Sequence, residues 1–307
     1  MPKTSSSRAV IDLGTNTFHL LIVRYRPEQD DFEEIHRDRH FIKLAEEGIE
    51  RIGEAAIDRA RKVLLGFRRQ MDANGVELYR AFGTAAFRNA ANGPAFVDWA
   101  AQEAGIEITT IDGYEEARLI TQGVLLALPP LKTADNRLLI MDIGGGSVEF
   151  IIVDGDGLRY AESFPVGVAI LRRSFHRHEP IGSEELAELQ AHLYQVFAPL
   201  RSALERSPTD HLVGAAGTFD VIARLMARGR PTKHSHAIDL DQFDALHLRC
   251  RQATLNERMA MSDLPDNRAD MMVVALELIH SVLEMAGVNR LTVSDYSLKE
   301  GALLEMG

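Results

Sequence analysis

The sequence predicts an α/β protein made of two like domains with a cleft between them, and three observations lead there. Residues 11–23, opening Ile11-Asp12-Leu13-Gly14-Thr15-Asn16-Thr17, and residues 141–153, opening Met141-Asp142-Ile143-Gly144-Gly145-Gly146-Ser147, align without a gap at a spacing of 130 positions. Each enters as an apolar strand, reaches an Asp, turns through Gly and small polar residues, and leaves as a second strand. After each hairpin, strand-like and helix-like periodicities alternate, as expected of an α/β domain. At 307 residues the chain accommodates two domains with substantial cores.

In chain order, Ala9-Val10-Ile11 opens the first hairpin and Phe41-Ile42-Lys43-Leu44 follows it. A helix over 54–72 carries Ile57, Val63, Leu64, Phe67 and Met71 at roughly helical spacing, and Asn74-Gly75 stops it. A strand over 76–82 runs into Gly83-Thr84-Ala85-Ala86-Phe87-Arg88. Pro94 opens a helix that Gly105 closes. A strand over 106–111 leads to a helix over 114–128, and residues 129–136 are the linker candidate. Leu138-Leu139-Ile140 opens the second hairpin. Ser183 is expected to cap a long helix whose first turn carries Glu184 and Glu185, acids suited to the positive end of the helix dipole. Residues 211–218 read as a strand entering the Gly217-Thr218 turn and a helix, an arrangement that binds anions. Helices over 241–255 and 267–286, the second ended by Gly287, a short strand over 291–294 and a last helix over 298–306 complete the chain.

The composition, 46% apolar and 26% charged, is that of a soluble globular chain and excludes a disordered or fibrous class. No apolar run approaches the roughly 20 residues that span a bilayer, and the N-terminus lacks a signal-peptide core. Cys250 is the only cysteine, so neither an intrachain disulfide nor a cysteine metal cluster forms. The cytoplasm is the expected compartment. A net charge of −11 argues against broad nucleic-acid binding, so a phosphate polyanion would have to be drawn by a local basic patch and a bound metal.

The chemistry sits in the turns. A strand-terminal Asp followed by a loop of little bulk lets backbone N–H groups approach phosphate oxygens, while the carboxylate holds a hydrated divalent cation beside them. Taken singly, either loop is also an ordinary hairpin. Two in matching context favour a duplicated phosphate-binding cleft. Other positions also have a plain alternative. Glu115 and Glu116 suit a helix dipole, Arg88 a solvated loop, Glu149 an alternating strand and Gly217-Thr218 a simple helix start. His176-Arg177-His178 and His234-Ser235-His236 read as solvated surface, because no Cys or acid stands at metal-ligand spacing.

Together, the Asp12 loop, Gly83-Thr84-Ala85-Ala86-Phe87-Arg88, Glu115-Glu116-Ala117-Arg118, Asp142-Ile143-Gly144-Gly145-Gly146-Ser147-Val148-Glu149, Gly217-Thr218 and the closing Val293-Ser294-Asp295-Tyr296-Ser297-Leu298-Lys299-Glu300-Gly301 resemble the exopolyphosphatase / guanosine pentaphosphate phosphohydrolase family, from Val10 to about Leu304. The resemblance implies an α/β fold of two actin-like (ribonuclease H-like) domains, each with a mixed five-stranded sheet, and a catalytic cleft between them. Domain I would span 1–130 with a returning C-terminal helix over 296–307, and domain II would span 131–295. It implies Glu116 as general base and Glu149 as a second catalytic acid. Asp12, Asp142 and Glu149 would organise Mg²⁺, or Mn²⁺ in its place. Thr15, Asn16, Arg88, Gly144, Gly145, Gly146, Ser147, Gly217 and Thr218 would bind phosphate.

The implied activity is release of terminal phosphate from inorganic polyphosphate or guanosine pentaphosphate. The alternative is a nucleotide or alarmone sensor with the same cleft and little turnover. Expected partners are polyphosphate or a phosphorylated guanosine nucleotide, with a homodimer as the assembly and neither nucleic acid nor membrane. The sequence departs from the family pattern at Ile170 in place of Arg, at Asp220 after the Gly-Thr turn, at Val148 in place of Thr, and at Ser297-Leu298-Lys299 in place of Gly-Leu-Arg. Ile170 and Asp220 together predict a less cationic cleft and weaker handling of long polyphosphate.

Overall fold

A computed structural model describes residues 7–26, 31–128, 136–226, 234–262 and 264–306. Apart from Asn136, the linker candidate lies outside the described residues. The first half runs β1 (Ser7–Leu13), β2 (Thr17–Arg26), β3 (Asp31–Phe41), α1 (Glu54–Ala73), β4 (Val76–Gly83), α2 (Ala85–Asn89), α3 (Gly93–Glu103), β5 (Ile108–Thr110) and α4 (Gly113–Ala127). The second half begins β6 (Leu138–Ile143), β7 (Val148–Asp154), β8 (Gly157–Phe164), α5 (Val168–Phe175), α6 (Ser183–Val196), α7 (Ala198–Arg206), β9 (His211–Ala215) and α8 (Gly217–Met226). It continues through β10 (Ser235–Ile238), α9 (Leu240–Gln252), α10 (Leu255–Met259), α11 (Asp266–Ala269), α12 (Met272–Ala286), β11 (Arg290–Ser294) and α13 (Leu298–Leu304). No helix among the described residues is long and apolar enough to cross a membrane.

The duplication is visible strand by strand. The first sheet has the order β3-β2-β1-β4-β5 and the second β8-β7-β6-β9-β11, with β10 added outside β11. In both, the first three strands form an antiparallel meander and the next two run parallel to the hairpin's opening strand. Both hairpins close with the same bond, Gly14 N–H to Thr17 O and Gly144 N–H to Ser147 O, each 3.0 Å. The register also breaks at equivalent positions, Ile22/Val23 and Ile152/Val153. Both halves therefore share one topology, as expected of two like domains. The five-stranded expectation fails for the second sheet, which has six strands because β10 pairs antiparallel with β11.

Other boundaries differ for local reasons. Ser183 is the first residue inside α6 rather than its cap. The cap is Gly182, whose N–H donates to Glu185 Oε2 at 2.8 Å. The long helix expected there breaks at Phe197, where Pro199 in the first turn of α7 has no N–H to continue the ladder. The helix expected over 241–255 stops at Gln252, and Thr254 caps the short α10. The helix expected over 267–286 is interrupted at 270–271, because arginines take the carbonyls a continuous helix would use. Arg258 Nε donates to Ala269 O at 2.8 Å and Arg172 Nε to Asp270 O at 3.0 Å.

Each sheet has its own apolar core, and a third core lies between them. Val10, Leu21 and Val23 from the first sheet and Ile140, Ile151 and Val213 from the second close on Ile120 and Val124 of α4 and on Leu298, Ala302 and Leu303 of α13. The two helices cross at a pair of glycines. A Cβ on Gly123 would stand 1.9 Å from Ser297 O, and one on Gly301 would stand 1.9 Å from Leu119 O. No side chain fits either place, so this crossing fixes the register of α13 on α4. It also places the N-termini of both helices beside the Asp loops.

Candidate active site

Both Asp loops open into one cleft. Asp12, Thr15, Asn16, Asp142, Gly144, Gly145, Gly146, Ser147, Glu116, Glu149 and Gly217 all line it. The loops touch directly: a Cβ on Gly145 would meet the Asn16 amide at 2.5 Å, and one on Gly146 would meet Thr15 Oγ1 at 2.7 Å. Segment 42–44 braces the first loop from behind, with Ile42 N–H donating to Asn16 O at 2.8 Å and Leu44 N–H to Thr15 O at 2.7 Å. Thr15 Oγ1 and Asn16 Oδ1 are buried and have no hydrogen-bond partner among the described residues. At the third turn, Ala216 adopts φ 65°, a left-handed value unusual for a residue with a Cβ. The turn places Ala216 and Gly217, at the start of α8, on the cleft wall.

The acids are set by strand register and helix pitch. Asp142 sits opposite Glu149 across the β6–β7 hairpin, as Asp12 sits opposite His19 across β1–β2. Glu116, in the first turn of α4, joins them from a different element. One oxygen of each of these three acids is tied. Ser297 Oγ donates to Asp142 Oδ2 at 2.5 Å, Ser163 Oγ to Glu149 Oε1 at 2.7 Å, and Arg88 Nη1 to Glu116 Oε2 at 2.6 Å.

Burial dominates their titration. It pushes Asp142 from the ordinary 3.8 up to about 7, reinforced by Glu149 and opposed by the Ser297 hydroxyl. Glu116 is held well above the carboxylate range by burial and then by Glu149, with Arg88 pulling the other way. Burial also raises Asp12, against Lys299, and Glu149, against the hydroxyls of Ser147 and Ser163. Four mutually repelling, desolvated carboxylates are costly unless a cation or a reaction uses them.

That donor set fits a hard divalent ion. No three His, Cys, Asp or Glu residues among the described residues form an all-protein cage. Mg²⁺ does not need one, since it binds through one or two carboxylates and completes its shell with water and substrate phosphate.

The structure does not bring every expected residue to the wall. Arg88 lies on Glu116 and also donates to Ile111 O at 3.0 Å, so its guanidinium serves the acid. Thr218 is buried inside α8, behind Gly217.

Other residues line the cleft without a site role expected from the sequence: His19, Arg37, Arg39 and Arg268, and with them Ser297 and Lys299, noted only as departures from the family pattern. Arg39 and Arg268 lie over the Phe41 ring, 5.4 and 4.9 Å from its centre. Arg39 Nε and Nη2 and Arg268 Nε are buried and have no partner among the described residues. Burial and then Arg39 lower Arg268 to about 10. Asp220 lines the cleft, as expected, and pairs with Arg39 at 3.2 Å, while Ile170 does not line it and Arg37, Arg39, Arg268 and Lys299 are its cations. The histidine clusters also differ from a solvated surface: His176 is buried, and His236 pairs with Asp295 at 2.9 Å.

Comparison with known proteins agrees with this arrangement. Residues 21–307 match the Ppx/GppA phosphatase family. An exopolyphosphatase crystal structure from Cytophaga hutchinsonii is 36% identical, with a TM-score of 0.92, and the match covers 98% of this chain and 97% of that one. The Aquifex aeolicus Ppx/GppA structure, 24% identical with a TM-score of 0.80, shares the fold over 99% of this chain and 98% of its own. The guanosine-5'-triphosphate,3'-diphosphate pyrophosphatase of Aliivibrio fischeri is 27% identical over 296 residues, 95% of this chain. The chain spans 58% of that relative's length. With its duplicated sheets, paired Asp loops and shared cleft, the chain belongs to the Ppx/GppA phosphatase family and is a hydrolase whose relatives are named for phosphoanhydride substrates.

Proposed function

We propose that this chain is a Mg²⁺-dependent hydrolase that releases the terminal phosphate of inorganic polyphosphate or of guanosine pentaphosphate. The observation that carries the proposal is the meeting, in one cleft, of buried acids with raised pKa values and four cations beside two glycine-rich loops. Acids alone would suit a structural cation site, and cations alone a passive anion pocket. Together they suit the hydrolysis of a polyanion. The named activities of the Cytophaga and Aliivibrio relatives support the same substrate class.

The backbone N–H groups of 145–147 and of Thr15 and Asn16 cradle the terminal phosphoryl group. Arg39, Arg268 and Lys299 hold the phosphates behind it, and Arg37 adds charge from the edge strand. Asp12, Asp142 and Glu149 would hold Mg²⁺, which when bound neutralises charge on the phosphoryl oxygens. Glu116 orients a water in line with the leaving bridge oxygen and takes its proton as the water oxygen–phosphorus bond forms. The bond from phosphorus to the bridge oxygen breaks, and the shortened chain or nucleotide leaves with that oxygen as an anion. Burial and Glu149 raise the Glu116 pKa, which makes its ionised carboxylate a stronger base than an ordinary Glu. Arg88 keeps that carboxylate aimed and favours its ionised form.

The test is phosphate release from long polyphosphate, short polyphosphate, guanosine pentaphosphate and ATP, each with Mg²⁺ and with chelator. The proposal expects Mg²⁺-dependent release from a polyphosphate or from guanosine pentaphosphate. Binding of guanosine pentaphosphate without release from any of the four would instead establish the sensor alternative.

A further inference from the structure

Ser297 touches three parts of the site at once. Its hydroxyl donates to Asp142 Oδ2 at 2.5 Å, and both residues are buried. Its N–H donates to Glu300 Oε2 at 2.9 Å, while Glu300 Oε1 accepts from Arg37 Nη2 at 3.0 Å, which ties Ser297 to the β3 edge strand. Its carbonyl oxygen lies against Gly123, where a Cβ would approach to 1.9 Å. Gly123 stands seven residues, about two helical turns, beyond Glu116 on α4. A single residue therefore connects the loop acid Asp142, the helix of Glu116 and a cleft cation.

We propose that Ser297 is a positioning residue for the metal-organising carboxylate, a role that rests on the Mg²⁺-dependent reading above. With Oδ2 held by the hydroxyl, Asp142 cannot rotate freely, and Oδ1 is left as the oxygen that meets the ion. The carbonyl contact with Gly123 then keeps this oxygen at a set distance from Glu116. A simple α13 cap would not require a bond from the Ser297 hydroxyl to an acid on another sheet. In the capping box the Ser297 hydroxyl takes the Glu300 N–H and the Glu300 carboxylate takes the Ser297 N–H, and neither bond calls for a partner on another sheet.

Metal binding without substrate tests the proposal. Mn²⁺ would be titrated by calorimetry and by electron paramagnetic resonance into metal-free wild type, S297A, S297G and S297T, with circular dichroism confirming the folded fraction. The role predicts that S297A and S297G bind Mn²⁺ about 10-fold more weakly, the lower range for losing an outer-shell partner, and that S297T, which keeps the hydroxyl, binds as wild type does. In turnover, S297A should need more Mg²⁺ for half-activation and lose kcat, with KM for the phosphate substrate little changed. A merely structural role would lower the melting temperature and leave the Mn²⁺ affinity of the folded protein unchanged, which would overturn the proposal. Unchanged affinity in whichever of S297A and S297G folds would overturn it equally. A wild type that binds no Mn²⁺ would overturn the metal reading itself, and this role with it.

Discussion

Replacing Asp142 by Asn should make the metal-free protein more stable at neutral pH while removing its function. Asp142 is buried, with its pKa moved from 3.8 to about 7 chiefly by desolvation and then by Glu149. A folded pKa above the unfolded one means that the native state holds the proton more tightly. The contribution of Asp142 to stability is therefore greatest below about 4, falls as pH rises through the window between 3.8 and about 7, and stays low above it. The full displacement is worth about 4 kcal/mol, taking about 1.4 kcal/mol per pH unit. Asn still buries a polar group and still accepts from Ser297, so about 1–3 kcal/mol should be recovered at pH 8. Urea unfolding of both proteins in chelator at pH 5 and pH 8 measures this. The stability of the Asn variant relative to wild type should rise by about 2–3 kcal/mol between pH 5 and pH 8, and Mg²⁺ should narrow its advantage by stabilising only the wild type. Equal pH dependence in the two proteins would refute the claim that the Asp142 charge is buried at a cost.

Two further outcomes follow from the same geometry. Arg268→Ala should raise KM for polyphosphate roughly 10-fold, as expected for losing a hydrogen bond to a charged group, and make that KM less salt-dependent. Its melting temperature should hold or rise, because the guanidinium is crowded by Arg39. Gly301→Ala forces a methyl to within 1.9 Å of Leu119 O. It should cost about 1–3 kcal/mol or more from overpacking and lower kcat beyond what the folded fraction explains, measured by calorimetric unfolding alongside turnover.

The two hairpins were legible because glycines, an Asp and a 130-residue spacing mark them twice, and the structure repeats even their turn bonds and register breaks. β3 was not legible. Its residues Glu33, Glu34, His36, Arg37, Asp38, Arg39 and His40 carry no apolar alternation, and the strand exists because it pairs along β2. The same polar run hid Arg37 and Arg39, although their i, i+2 spacing puts both on one face of a strand. Arg268 had no local signal, since it lies on a four-residue helix held by side chains from α5 and α10. Arg88 was expected to bind phosphate, and its bond to Glu116, 28 residues away, had no signal in the local sequence. Local chemistry was readable where turn residues spell it out. Cations brought together by long-range strand and helix packing were not.

The proposed hydrolysis depends on Glu116, a buried acid poised beside Glu149 and Arg88, directing water onto a terminal phosphoanhydride. The most direct measurement is the rate of phosphate release, with Mg²⁺ and saturating substrate, by wild type, Glu116→Gln and Glu115→Gln. Gln is nearly isosteric with Glu but takes no proton, so Glu116→Gln should lose about 10²–10⁴ in kcat while still binding substrate. Glu115 pairs with Arg118 outside the cleft, and Glu115→Gln should remain close to wild type. Near-normal turnover by Glu116→Gln, or an equal loss in Glu115→Gln, would contradict the assignment.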